Sequence, residues 1–256
     1  MPLPEDLLLF GAGALASAVN AAAGGGTLLS FPALLAAGLS PLAANATSTV
    51  GLLPGALGSV VAFRRELRED RADVIRIAVP SLAGGVLGAV LLLALGGRVF
   101  AAIVPALLIG ASALILLQPI LARLLARAGP PRDRHPVALF LANLAIAVYG
   151  GYFGAGAGIL FLGAMGLLMA RDLSRINALK MSCALLTNAI GAATFVVAEI
   201  AARPGAVVPR AALPLALGAV FGGYGAVHLV RRLPAGALRG VAGAVGLAIA
   251  AWLLFS

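Results

Sequence analysis

Read for hydrophobic and polar positions, the chain falls into long apolar blocks separated by short polar punctuation. An apolar stretch from about Leu7 to Gly38 is interrupted by Gly24-Gly25-Gly26, and a second runs from about Ala43 to Phe63. The charged segment RRELREDRAD, expected as a loop, closes it. Two further blocks cover roughly Val74 to Leu95 and Arg98 to Ala122, before the polar linker ARAGPPRDRHP. The plan then recurs. A block from about Pro136 to Ala170 is interrupted by GGYFGAGAG, and others follow at Ile176–Ala198, Ala211–Val230 and Ala235–Phe255. The blocks are rich in Leu, Ala and Gly and do not alternate with period two, so they predict helices rather than strands. Hydrocarbon about 30 Å thick asks for roughly 20 apolar residues per helical crossing, the length most of these blocks have.

The two halves align on each other. At an offset of 132, Gly24 meets Gly156, Gly26 meets Gly158, Asn45 meets Asn177 and Phe63 meets Phe195. Small insertions raise the offset to 134, where Pro80 meets Pro214, Gly84 meets Gly218 and Gly88 meets Gly222. Ordered matches of Gly, Asn and Pro at one nearly constant offset read as an internal duplication, a recurring trait of secondary transporters. The halves are residues 1–128 and 129–256.

Composition sharpens the class. Of 256 residues 62% are hydrophobic and 11% charged, and mean hydropathy is +1.08. A soluble domain coats itself with Lys, Glu, Arg and Asp, whereas a bilayer removes that need. The net charge of +9 does not point to nucleic acid, because the arginines sit in short clusters between apolar spans, where positive charge orients membrane proteins. If each Gly-broken block is a hairpin that enters and leaves on one side, only Arg98, Arg203 and Arg210 fall outside, leaving 15 of the 18 Lys and Arg on the cytoplasmic face. If each crosses once, the split is 11 against 7. The positive-inside rule favours the first arrangement, which makes the second half inverted relative to the first and puts both termini outside. The N-terminus MPLPEDLLLF is acidic where a signal peptide would be basic, and reads as the lead-in to a retained helix. The fold expected is therefore an all-α integral membrane protein of two inverted repeats, each a Gly-broken helical hairpin plus three transmembrane helices.

Candidate chemistry centres on the breaks, NAAAGGGTLLSFP (Asn20 to Pro32) and YGGYFGAGAGILF (Tyr149 to Phe161). Gly costs about 1 kcal/mol relative to Ala inside a helix, so a run of them marks an interruption. Non-helical backbone at membrane depth persists only where protein or water satisfies it. The N–H groups opening the next half-helix are unpaired and carry the positive dipole end, so two such ends would form an anion site. Alternatively, the glycines simply let helices pack closely. Asn20, Gly24, Gly25, Gly26 and Thr27 are the site candidates in the first break, and Gly154, Gly156 and Gly158 in the second. Downstream, Asn45, Ser48 and Thr49 share one helical face, with Thr47 adjacent; Asn177, Lys180 and Met181 share another, with Thr187 and Asn188 deeper. Asn45, Thr47, Ser48 and Asn177 are substrate-binding candidates or inter-helical glue. Lys180, the only lysine, would attract an anion or snorkel to the interface.

Gly84-xxx-Gly88 and Gly218-xxx-Gly222 read as packing faces. His135 reads as solvated, a proton role stays open for His228, and Glu199 is expected to meet headgroups or Arg203. The single cysteine, Cys183, excludes a disulfide framework. No HExxH, GxSxG, P-loop, CxxC or paired intramembrane carboxylate appears, so no enzyme, metal or cofactor is expected.

GGGTLLSFPALLAAGLSPLAANATST is similar to the first signature of the TauE/SafE sulfite-exporter family of membrane transporters, and GGYFGAGAGILF with RINALK to its second. The resemblance covers nearly the whole chain. It implies export or permeation of sulfite, organosulfonates or related small sulfur-containing anions across the bacterial cytoplasmic (inner) membrane. The expected partners are a small anionic substrate and membrane lipid, with a homodimer left open and nucleic acid excluded. Two other classes stay open: a small-anion channel using the same half-helix ends, and a non-transporting membrane scaffold.

Overall fold

The computed structural model describes residues 3–128, 135–201, 204–225 and 235–255, and among these every regular element is helical. Helix α1 (Leu3–Ala23) carries Glu5 and Asp6 in its first turn, against the positive end of its dipole. It stops at Gly24, whose φ of 79° is left-handed. Helix α2 (Thr27–Ala36) follows, then α3 (Pro41–Ala62), which opens with Ser40 accepting the Ala43 N–H and proline at its first turn. The charged segment expected as a loop is instead helical: it forms the short α4 (Arg64–Glu69) and the start of α5 (Arg71–Ala128). The Arg65–Glu69 pair, four residues apart, supports α4.

Helix α5 contains the third and fourth apolar blocks. A straight helix of 58 residues would run about 87 Å, nearly three bilayer thicknesses. The chain breaks it at Gly96, where φ 78° and ψ 172° leave helical geometry. Both arms then feed one core, with Leu92 from the first beside Phe100, Val104, Leu108 and Ile115 from the second. The second half gives α6 (Pro136–Tyr152), α7 (Ala157–Leu168), α8 (Leu173–Ala201), α9 (Pro209–Val220) with a closing π-turn Phe221–Gly225, and α10 (Ala235–Phe255).

Three segments of the described residues are long and apolar enough to cross a membrane, Arg71–Leu124, Ser174–Ala201 and Gly236–Phe255. The outer surface is apolar, with Leu7, Ile75, Leu117 and Phe255 all exposed, as lipid-facing positions are.

Each half inserts its first helix against the third block of the other, and the glycine stripes make this fit. A Cβ on Gly84 or Gly88 would collide with the carbonyls of Leu144 or Val148 in α6. A Cβ on Gly218 or Gly222 would collide with those of Phe10 or Ala14 in α1. All four contacts are related by the same offset of 134 found between the halves. Lipid tails offer no hydrophobic drive between helices, so close backbone approach through small residues has to supply the attraction.

Candidate functional site

The two glycine breaks meet. A Cβ on Gly24 would lie 3.0 Å from the Gly158 Cα, and one on Gly158 would lie 3.0 Å from the Gly24 Cα. The first break folds the chain back on itself, because Gly26 packs on the Ala16 carbonyl and the Asn20 Cβ of the helix it has just left. Gly25 faces Ile115. The second break takes left-handed backbone at both Gly154 (φ 81°) and Gly156 (φ 78°), and Gly156 packs on Ala111 and Leu114 of the second α5 arm.

Aromatic rings clamp that second break. Phe153 packs edge-on to Phe31 at 5.7 Å, and Phe100 to Tyr152 at 5.6 Å. Such pairs add about 0.5–1.5 kcal/mol each beyond the area they bury. The Tyr149 hydroxyl donates to the Ala155 carbonyl inside the break, satisfying backbone that no helix can.

At the meeting point lies a cavity of about 30 Å³, room for a water or two. Asn20, Gly24, Thr27, Gly154 and Gly158 line it, together with Thr49, Thr187 and Asn188. Neither α2 nor α7 has a side-chain hydrogen bond capping its N-terminus. The first N–H groups of a helix have no intrahelical acceptor, so both positive dipole ends open at the breaks around this space.

The remaining sequence candidates sit around the cavity rather than on it. Asn45 donates to the Tyr152 carbonyl at 2.9 Å, tying α3 to the residue before the second break, and its own Oδ1 is buried with no partner among the described residues. Thr47 accepts the Val208 N–H at 3.0 Å. Ser48 and Ser30 share a 2.6 Å hydrogen bond that joins α3 to α2. Asn177 is half-buried in α8. Lys180 is 2% exposed and makes no ion pair among the described residues. It lies four, seven and eight residues before Ala184, Thr187 and Asn188, so it shares the α8 face that lines the cavity.

Thr49, Thr187 and Asn188 are polar-side-chain lining residues that the candidate set omitted. The stripe that begins at Asn177 and Lys180 reaches the last two when followed about two turns further. Asn143 carried no signal, being one polar residue in an apolar block, yet it is a buried hub. Its Nδ2 donates to the Ile77 carbonyl and to Ser81 Oγ, each at 3.0 Å, while its Oδ1 accepts from the Cys183 thiol.

An ion-pair cluster between distant segments was equally hidden. Arg171 reaches Asp73 at 2.7 Å, Arg175 reaches Asp70 at 2.7 Å and Glu69 at 3.0 Å, and Arg76 joins Asp73 at 3.3 Å. It fastens the start of α5 to the start of α8. On sequence, these arginines counted only as orientation charges. Glu199 takes the N–H groups of Gly205 and Val207. Arg203, His228 and the linker residues 129–134 lie outside the described residues.

An all-helical chain with an apolar outer surface is a membrane protein, and paired broken helices meeting at a small polar cavity are the arrangement that secondary-transporter sites use. The family model described as sulfite exporter TauE/SafE matches residues 9–253, and this chain belongs to that family. It is 31% identical over 175 residues to the probable membrane transporter protein YfcA of Escherichia coli K12, covering 67% of this chain and 62% of that one. A probable membrane transporter protein of Haemophilus influenzae is 29% identical over 164 residues, 62% of each chain. The probable membrane transporter protein ORF9 of a Sinorhizobium species is 32% identical over 158 residues, 60% of this chain and 58% of that one. The matches thus span about three-fifths of these relatives' lengths. No solved structure matches the chain.

Proposed function

We infer that this membrane transporter carries small sulfur-containing anions, sulfite or organosulfonates, by alternating access across the bacterial inner membrane. The observation that carries the reading is the contact of Gly24 with Gly158, which brings two uncapped helix N-termini to one polar cavity. Such ends bind anions without a fixed charge. Lys180, buried on the adjoining face, adds a cation that has no carboxylate partner among the described residues. No acidic side chain lines the cavity among those residues. The name of the family supplies the sulfur oxyanion.

Two inverted repeats, residues 1–128 and 129–256, give the mechanism its moving parts. The support is local. Thr47, near the head of α3, is bonded to Val208, just beyond the end of α8. Asp70, between α4 and α5 on the far side of α3, is ion-paired to Arg175 at the head of α8. These two contacts support an antiparallel α3 and α8, the arrangement that inverted repeats would have. Room for a water or two is too little for a four-atom anion, so this geometry corresponds to a closed state that rocking of the units would open.

Uptake of radiolabelled sulfite into proteoliposomes preloaded with unlabelled sulfite, sulfonates, sulfate or chloride tests the assignment. Saturable counterflow with sulfite or a sulfonate is expected. Absence of counterflow with every anion would remove the substrate reading, and unsaturable electrical conductance would replace the carrier with a channel.

Replacing Asn45 by alanine is expected to lower sulfite flux and also the unfolding midpoint. It strands the buried Tyr152 carbonyl, a loss of about 1–3 kcal/mol. Asn177→Ala should lower flux and leave the midpoint near that of the wild type. Normal flux in both variants would sink their assignment to the transport path.

A further inference from the structure

A second cavity among the described residues lies away from the breaks. It holds about 310 Å³ at one end of the molecule, between the start of α5, the start of α6 and the end of α7. That is within the size range of ligand pockets. Its deep wall is apolar, built from Ile77, Pro80, Leu139, Phe140, Leu168 and Met169. Its rim carries Arg76, Arg171 and His135. Asp73 serves both arginines through different oxygens, and Arg171 also pairs with Asp70 at 3.6 Å, so the exposed Arg76 is the rim cation with most donors left over. Arg76 is 58% exposed and Arg171 27% exposed, which leaves guanidinium donors free for a further anion.

The cavity also has a side. Phe140 lines it and is exposed, and Ile75 and Val79 project from the same stretch of α5 to the outer surface. Among the described residues, apolar outer surface in this chain is lipid-facing, so the pocket opens toward hydrocarbon beside a charged rim at the end of a span. One molecule has an anionic head for the arginines and apolar tails for the wall.

We propose that this cavity is a binding site for an anionic phospholipid, its phosphate held between Arg76 and Arg171 and an acyl chain lying along Leu139, Phe140 and Leu168. The site is separate from the cavity between the breaks, and it needs only the membrane class of the chain. A lipid that binds the folded chain and not the unfolded one shifts the folding equilibrium toward the native state. Lipid binding therefore stabilises the fold.

The test is thermal unfolding of the full-length protein in detergent, titrated with phosphatidylglycerol, phosphatidylcholine or inorganic phosphate. A single arginine near the surface favours anionic lipid by about fivefold. The expected result is half-saturation at roughly fivefold less phosphatidylglycerol than phosphatidylcholine, with no shift from phosphate. Arg76→Gln, at an exposed position, should abolish the preference. Leu168→Trp, which fills the pocket and leaves the charges alone, should weaken both lipids. Arg123→Gln, an exposed arginine elsewhere, should change nothing. Equal loss in Arg76→Gln and Arg123→Gln would mean general surface electrostatics and overturn the site. A phosphate response equal to that of phosphatidylglycerol would make it a small-anion site and overturn the lipid.

Discussion

Lys180→Met is expected to abolish most anion counterflow while leaving the protein as stable as the wild type, or more so. Lys180 is the only lysine in the chain, and it is 2% exposed within a membrane-spanning helix. An ammonium there carries a desolvation cost that a counter-charge normally offsets. Among the described residues it has no ion pair, and the acidic cluster of Glu69, Asp70 and Asp73 is bonded to arginines instead. A passing anion would complete it. Hydrogen bonds to charged groups contribute about 1.5–3 kcal/mol, so removing the ammonium should cost roughly 10- to 150-fold in apparent substrate affinity. The sign of the stability change separates the roles. A structural lysine loses stability when truncated, whereas an unpartnered buried charge does not. Sulfite counterflow and unfolding midpoints on the same preparation read both. Wild-type flux in Lys180→Met would end its role in transport. Loss of flux with a lowered midpoint would make it a structural residue.

Gly158→Val should prevent the chain from reaching its native form. The position faces Gly24 across the join of the two breaks, where a Cβ already comes within 3.0 Å of backbone. Neither side can yield, because Gly24 holds a left-handed φ of 79° that only glycine takes without strain. Forcing a branched side chain between two backbones costs about 1–3 kcal/mol or more. Here the penalty falls on the junction that closes the site. Monodisperse protein after detergent extraction should drop below about a tenth of the wild-type yield, since a destabilisation of this size is a large part of a marginal total. Gly38 supplies the control. Its φ is 82°, but nothing lies within 4 Å of a built Cβ, and Asn tolerates that backbone region, so Gly38→Asn should extract at nearly normal yield. Wild-type yield and flux from Gly158→Val would show that the breaks do not need to touch.

Membrane class, helix count by block and the two interruptions were legible because each is a local property. Apolar blocks with no period-two alternation leave only helices in lipid, and a glycine run inside a block can only be a break. The offset of 134 between the halves also relates the contacts of Gly84, Gly88, Gly218 and Gly222 with their partner carbonyls. Charge patterning misled once, at RRELREDRAD. A charged segment reads as a loop until its acids find partners from α8 and its arginines find acids one turn away.

Tertiary structure alone decided what each polar residue does. Asn45, Thr47 and Ser48 have the same chemistry as Thr49, Thr187 and Asn188. Yet the first three hold helices together and the last three line the cavity. The choice depends on which neighbour arrives at each face, and for Asn45 and Thr47 that neighbour comes from the other half of the chain. The pairing of Arg171 and Arg175 with Asp73 and Asp70, about a hundred residues earlier, is of the same kind. Local sequence sets which positions are apolar, broken or charged. Contacts between elements distant in the chain set which of them meet, and no short-range pattern carries that information.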